Sequence, residues 1–322
     1  MANNNTAAPK TEAEKEAARK AKIALTPRFV ELFSKEPTNF QNAEKMQQMI
    51  TEKEGSIPGK NIIDPVTNSG PTINPERSGI SIVIPYLHAA AAGEELKYAL
   101  RAWAENFPDS HIIIIGDKPD FISDEVVHIP SALKHTQPQL DVAVKIMQAL
   151  ADDRVTGDFI FTNDDIYPVN PLELADITSL KCAGKLGFTK KKAGNSYIQT
   201  VSRTKGLLEH AKYPTWDYST HTPFFFNKEK MAKVFSKYQP AVKPALISSL
   251  YYNSVFKKEQ PELIKGNAEG DTVAYVYREN PNLEILEKAF QERKFINHNN
   301  AGYASVLPFL ENFFPEKCKY EL

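Results

Sequence analysis

The sequence predicts an α/β fold: a mostly parallel, Rossmann-like sheet flanked by helices, with an N-terminal helical extension. Three observations predict it. Short apolar runs rich in β-branched residues recur along the chain, as strands covered on both faces require. Amphipathic helical stretches separate them. The order is strand, helix, strand, strand, helix, strand, the alternation of an α/β sheet with parallel strands.

The elements follow in turn. Residues 1–24 are rich in Ala, Lys and Glu and read as a solvated helix or a disordered tail. Residues 26–53 read as a helix with Phe29, Leu32 and Phe33 on one face, and 55–79 as an irregular connector rich in Gly, Pro and Asn. The extension and linker are placed at 1–77 and the main α/β domain at 78–322. "ISIVIP", from Ile80, is the first strand. "GEELKYALRAWAENFP" follows as a helix, with Leu96, Leu100, Trp103 and Phe107 in one stripe. "HIIIIGD" and "EVVHIP" are strands, and "QLDVAVKIMQALADD" is a helix that faces inward with Leu140, Val144, Met147 and Leu150. "DFIFTNDD" is the next buried strand. "GNSYIQTVSR" alternates polar and apolar residues and reads as a half-exposed strand or hairpin on the acceptor side. Near the C-terminus, Tyr303, Val306, Leu307, Leu310, Phe313 and Phe314 share one helical face and read as core.

Composition narrows the function. The chain has 322 residues, 42% hydrophobic and 25% charged, with a net charge of −1, so the molecule as a whole has no basic bias toward nucleic acid or membrane. Two cysteines are too few for a disulfide framework. No apolar run approaches the ~18 residues of a membrane span, and the N-terminus lacks the apolar core of a secretory signal. A soluble, cytoplasmic protein is expected, with any membrane work requiring peripheral attachment.

Three strand ends carry chemistry: Pro85-Tyr86, Gly116-Asp117 and Asn163-Asp164-Asp165. In an open α/β sheet, ligands bind outside the carboxyl ends of the strands, so all three are expected on one rim. Two adjacent acids repel unless a cation lies between them. Mg²⁺ or Mn²⁺ suits such a pair, held by one or two carboxylates plus substrate phosphates. The arrangement fits a nucleotide-sugar transferase, with Asp164 and Asp165 as metal ligands, Asp165 catalytic, and Pro85, Tyr86, Asp117 and Asn163 around the nucleotide. The plainer reading is a surface turn in which one acid caps the backbone.

These segments resemble the Stealth family of sugar-phosphate transferases. "EELKYALRAWAENFPDSHIIIIGDKPDF" and "DFIFTNDDIYPVNP" are similar to its central region, "HTPFFFNKEKM" to its later His-x-Pro block, and "FINHNNAGYASVLPFLENFFPEKCKYE" to its C-terminal block. The resemblance runs from about Ile80 to the C-terminus, with a gap in the middle. It implies a fold of the GT-A glycosyltransferase type, a nucleotide-sugar donor, a divalent cation, a hydroxyl-bearing glycan or glycoconjugate acceptor, and a place in polysaccharide synthesis. Whether a sugar or a hexose 1-phosphate moves stays open, as does a non-catalytic glycan- or nucleotide-binding role.

Further candidates follow from residue chemistry. His221 is an expected base for the acceptor hydroxyl, and Asp217 its orienting partner or an acceptor contact. His298 is an expected ligand to the metal or diphosphate. Lys145, and less directly Arg101, can meet a diphosphate. His135 and Gln137 precede a helix, where a base or ribose can be contacted. Lys181, Lys185, Lys190, Lys191, Lys192, Arg203 and Lys205 fall in one acid-free segment that can meet a phosphate-bearing acceptor, a polyanionic glycan or nucleic acid.

Overall fold

The structure is a computed structural model that describes residues 79–131, 137–187 and 196–322. The extension at 1–77, His135, and Lys190 to Lys192 lie outside the described residues.

The apolar runs become the central sheet. β1 (Ser81–Tyr86), β2 (His111–Gly116), β3 (Val127–Pro130) and β4 (Asp158–Phe161) are parallel, and β7 (Phe224–Asn227) closes the edge antiparallel to β4. The order is β3-β2-β1-β4-β7. Successive side chains alternate between faces, so each strand feeds two cores. Val83, Ile113, Ile115, Phe159 and Phe161 face one side. There they pack against α2 (Pro138–Ala151), α4 (Ser196–His210), α5 (Lys228–Tyr238) and α6 (Ile247–Val255). Ile82, Ile84, Ile112, Ile114 and Ile160 face the other side, against α1 (Glu95–Asn106), α7 (Leu283–Glu292) and α8 (Asn300–Phe313). The predicted mostly parallel α/β sheet flanked by helices is what the chain forms.

The stripe on α1 lands as expected: Leu96, Leu100, Trp103 and Phe107 are all at most 1% exposed. Each such side chain contributes about 1.5–3 kcal/mol of burial, enough to dock the helix without other help. Arg101, on the same helix, turns to the C-terminus. Its Nε and Nη2 donate to the two carboxylate oxygens of Glu321 at 2.7 and 2.8 Å, and Nη1 donates to the Phe314 carbonyl. Arg101 therefore holds the chain end in place and does not reach the rim. The "LKYALR" helix and the acid near the C-terminus thus meet in this one ion pair.

Two elements differ from expectation. "GNSYIQTVSR" enters α4, a helix, not a strand. A second sheet, order β5-β10-β9, was not anticipated. Its strands are β5 (Ile166–Pro168), β9 (Val273–Val276) and β10 (Phe295–His298). β10 runs parallel to β9 and antiparallel to β5, with Asn297 opposite Ile166. A two-stranded pair, β6 (Lys181–Cys182) with β8 (Glu262–Leu263), completes the fold.

Candidate active site

Asn163, Asp164 and Asp165 lie between β4 and β5, where the chain leaves the central sheet and enters the second. Because β10 runs opposite to β5, the carboxyl end of β10 returns to the same place. The carboxyl ends of both sheets thus converge on the acid pair. The register also sets Tyr86 against Gly116, and Val83 against Phe161, so the three expected strand ends share one rim.

Both acids keep some exposed surface, yet their carboxyl groups sit among packed protein atoms. Burial pushes Asp164 up to about 8, reinforced by the charges of Asp165 and Glu95. Burial pushes Asp165 to about 6; a hydrogen bond from Asn297 opposes this. The Asn297 amide also donates to the Asp165 carbonyl at 3.0 Å, which pins the loop to β10. Asp165 Oδ1 is buried and has no hydrogen-bond partner. An unpaired buried carboxylate oxygen is costly, and a cation beside it removes the cost.

Glu95 was not anticipated as a site residue. It is 3% exposed, and its carboxylate accepts from the Ala92 and Gly93 amides at 2.7 and 2.6 Å. It holds the 92–93 backbone in place, and its charge bears on both acids. In sequence it looks like an ordinary acid in the first turn of a helix.

The β1–β2 end of the rim contains Lys145, whose Nζ donates to Asp141 at 2.6 Å and to the Tyr86 carbonyl at 3.2 Å. It is 3% exposed, so it lies under the strand ends, while its charge still favours an ionised Asp164. Gly116 has φ +131°, and a Cβ there would stand 1.9 Å from the Tyr86 carbonyl oxygen. Only glycine lets the two strand ends come this close. Asp117 accepts from the His88 amide at 3.0 Å, and Pro85 is buried within β1. Tyr86 is pushed up to about 12 by burial, then by Asp164, Glu95 and Asp117. Gln137 is drawn to α4, its amide 3.4 Å from the Thr200 hydroxyl.

His298 has a different place from the one expected. Its Nδ1 is 3.0 Å from the Asn299 carbonyl, which can only accept, so that nitrogen carries the proton. Nε2 then accepts from the Tyr167 hydroxyl at 2.7 Å, and the two rings stack at 5.6 Å. Burial lowers the His298 pKa and keeps the ring neutral. With both nitrogens engaged, His298 braces Tyr167, two residues beyond Asp165. Among the described residues no three His, Cys, Asp or Glu side chains are grouped to hold one ion. The three-ligand set of Asp164, Asp165 and His298 is therefore not assembled, and the carboxylate pair stands alone.

His221 and Asp217 lie on the far side of the second sheet's edge strand. His221 has φ +50°, a left-handed conformation uncommon for a non-glycine residue, and packs edge-on against Tyr275 at 5.1 Å. The Tyr275 hydroxyl donates to the Thr220 carbonyl at 2.6 Å and fixes this turn to β9. Desolvation lowers the His221 pKa and Asp217 opposes it; the residue is exposed, so water screens both effects. Tyr275, on which His221 packs, is opposite Asn297, and Asn297 opposite Ile166, so two strand spacings, roughly 10 Å, separate the Tyr275 backbone from Ile166, the residue after the acid pair.

The basic segment disperses. Lys181 donates to the Asp176 carbonyl and to Ser179, Lys185 lies over the Trp216 ring at 3.2 Å, Arg203 donates to the Tyr238 carbonyl, and Lys205 faces Glu209. Each of these four described cations has a partner within the chain.

No family model matches the chain, and no curated protein matches it in sequence. Among solved structures, the fold is similar to a glycosyltransferase involved in the glycosylation of the major capsid of PBCV-1. Identity is 10% and the TM-score 0.36, over 72% of this chain and 98% of that one. No helix among the described residues is long and apolar enough to cross a membrane.

Proposed function

We propose that the protein is a metal-dependent glycosyltransferase that moves a sugar from a nucleotide-sugar donor to a hydroxyl-bearing glycan or glycoconjugate. One observation carries the reading: the buried, unpartnered Oδ1 of Asp165 beside the Asp164 carboxyl, where the strand ends of two sheets meet. Two carboxylates without a third ligand fit Mg²⁺ or Mn²⁺, which take the rest of their coordination from water and substrate phosphates. When bound, such an ion neutralises charge on a leaving diphosphate.

The chain's own residues divide the remaining work. Asp164 and Asp165 hold the cation, and Glu95 deepens the negative field around it. Lys145 balances that field from below and ties Tyr86 to α2. Gly116 keeps the floor between β1 and β2 open to the donor, with Asp117 and Tyr86 at its edge. His221, exposed at the turn held against β9 and close enough to Asp217 to feel its charge, takes the acceptor's hydroxyl proton.

The test is nucleotide release. Purified protein is incubated with Mn²⁺ or Mg²⁺ and a panel of UDP-, GDP- and CMP-sugars, and the released nucleotide is identified by mass. Metal-dependent release of UDP or GDP, lost in Asp165→Ala, supports sugar transfer. Release of UMP moves the reading to hexose 1-phosphate transfer, as the sequence resemblance implies. Full turnover and metal dependence in Asp165→Ala would remove the proposal.

A further inference from the structure

An aromatic row continues outward from His221. Tyr275 lies 5.1 Å from His221 and 5.6 Å from Tyr277, ring to ring. Tyr277 is 46% exposed, and Tyr197, close enough for its charge to bear on Tyr277, is 41% exposed. The row is built to stay in place. Gly266, at φ +85°, brings its backbone against the Tyr275 ring, where a Cβ would stand 2.0 Å from a ring carbon. The Asn267 side chain bonds both the amide and the carbonyl of Tyr275, so the free edge of β9 is closed there. Tyr197 shares a side-chain hydrogen bond with Ser219, whose amide donates to Asp217 Oδ1 at 2.9 Å.

We infer that Tyr197, Tyr275 and Tyr277, with Asp217 at their margin, form a subsite for a sugar ring of the acceptor. This rests on the proposed sugar transfer, since it places the acceptor beside His221. The chemistry selects a sugar over a nucleobase. A flat base can be sandwiched only between parallel rings, but Tyr275 and Tyr277 are tilted by 50° and His221 and Tyr275 by 62°. Tilted facets suit the C–H surface of a puckered pyranose. The Tyr277 hydroxyl and the Asp217 carboxylate then meet its hydroxyls, as in sites that combine aromatic walls with a few placed polar groups.

The experiment titrates neutral disaccharides of glucose, galactose, mannose and N-acetylglucosamine into the full chain, without metal or nucleotide, by saturation-transfer NMR. At least one is expected to bind, with transfer strongest to the C–H groups of one ring face. Tyr277→Ala and Tyr197→Ala, both exposed and so safe for folding, each weaken binding about tenfold. Three results each overturn the inference: no disaccharide bound at about 10 mM, affinity unchanged in both tyrosine variants, or uridine displacing the sugar from these rings. Mn²⁺-dependent UDP binding, measured separately, tells the two readings apart. UDP without disaccharide defeats this subsite alone, and disaccharide without UDP defeats the donor reading alone.

Discussion

In Asp165→Asn the side chain keeps an oxygen to accept from Asn297 but loses its charge. The wild-type acid is held at about 6 against an ordinary 3.8, so ionising it at neutral pH in the folded chain costs about 3 kcal/mol. Asp164, held at about 8, adds to this in the same direction. For both acids the unfolded chain gives up its proton first. Wild-type stability therefore falls as pH rises from about 4, through about 6 for Asp165 and about 8 for Asp164. In EDTA at pH 7.5, Asp165→Asn is expected to melt about 5–10 °C above the wild type, with the gap closing toward pH 4. Millimolar Mn²⁺ should reverse the order, because the wild type gains binding energy that the variant lacks. Thermal melts at pH 4 and 7.5, with and without Mn²⁺, read this directly. A variant no more stable than the wild type in EDTA at pH 7.5, or equally raised by Mn²⁺, would refute the reasoning.

Arg101→Ala leaves Glu321 buried without its partner and should cost about 3–5 kcal/mol by urea unfolding. Burial alone would raise Glu321, but the Arg101 hydrogen bonds outweigh it and lower the pKa, so the pair stabilises above about pH 4.5 and this is lost as pH falls below. Gly116→Ala forces a left-handed φ and a 1.9 Å contact on the β1–β2 rim, with an expected loss of about 2–4 kcal/mol on the same assay. His298→Phe strands the buried Tyr167 hydroxyl for about 1–3 kcal/mol, and adding Tyr167→Phe should recover part of it in a double-mutant cycle.

The central sheet was legible because its strands are buried on both faces, so the apolar runs and their stops carry the whole pattern. α4 was not, because its inward face is largely threonine. Thr200, Val201, Thr204 and Leu208 are buried, and the Thr204 hydroxyl donates to the Thr200 carbonyl while accepting from the Leu246 amide. Hydroxyls satisfied inside the fold leave no apolar stripe to count. The second sheet failed for another reason: β5 has three residues, and its partner β10 lies over 100 residues away, with Asn297 and Asp165 separated by 132 positions. The same long-range pairing explains His298, whose commitment to Tyr167 no local spacing reveals. Glu95 escaped notice because only its burial sets it apart from a surface acid.

The topology also explains why Asp164-Asp165 differs from the surface turn that an Asp-Asp pair more often makes. A surface turn reverses the chain within one sheet and leaves its acids in water. Here the turn, closed by the Ile166 amide donating to the Asn163 carbonyl at 3.4 Å, leads from β4 in one sheet to β5 in the other, and β10 returns antiparallel beside β5. The acids are therefore enclosed by strand ends from two sides, with Asn297 holding the backbone and Glu95 lying across it. Enclosure raises both pKa values and leaves Oδ1 of Asp165 unpaired. Relaxing that strain by solvation would require separating the two sheets, which share one buried core. A cation would relieve it without moving either sheet, which is why the confinement of the acids supports the proposed cation site.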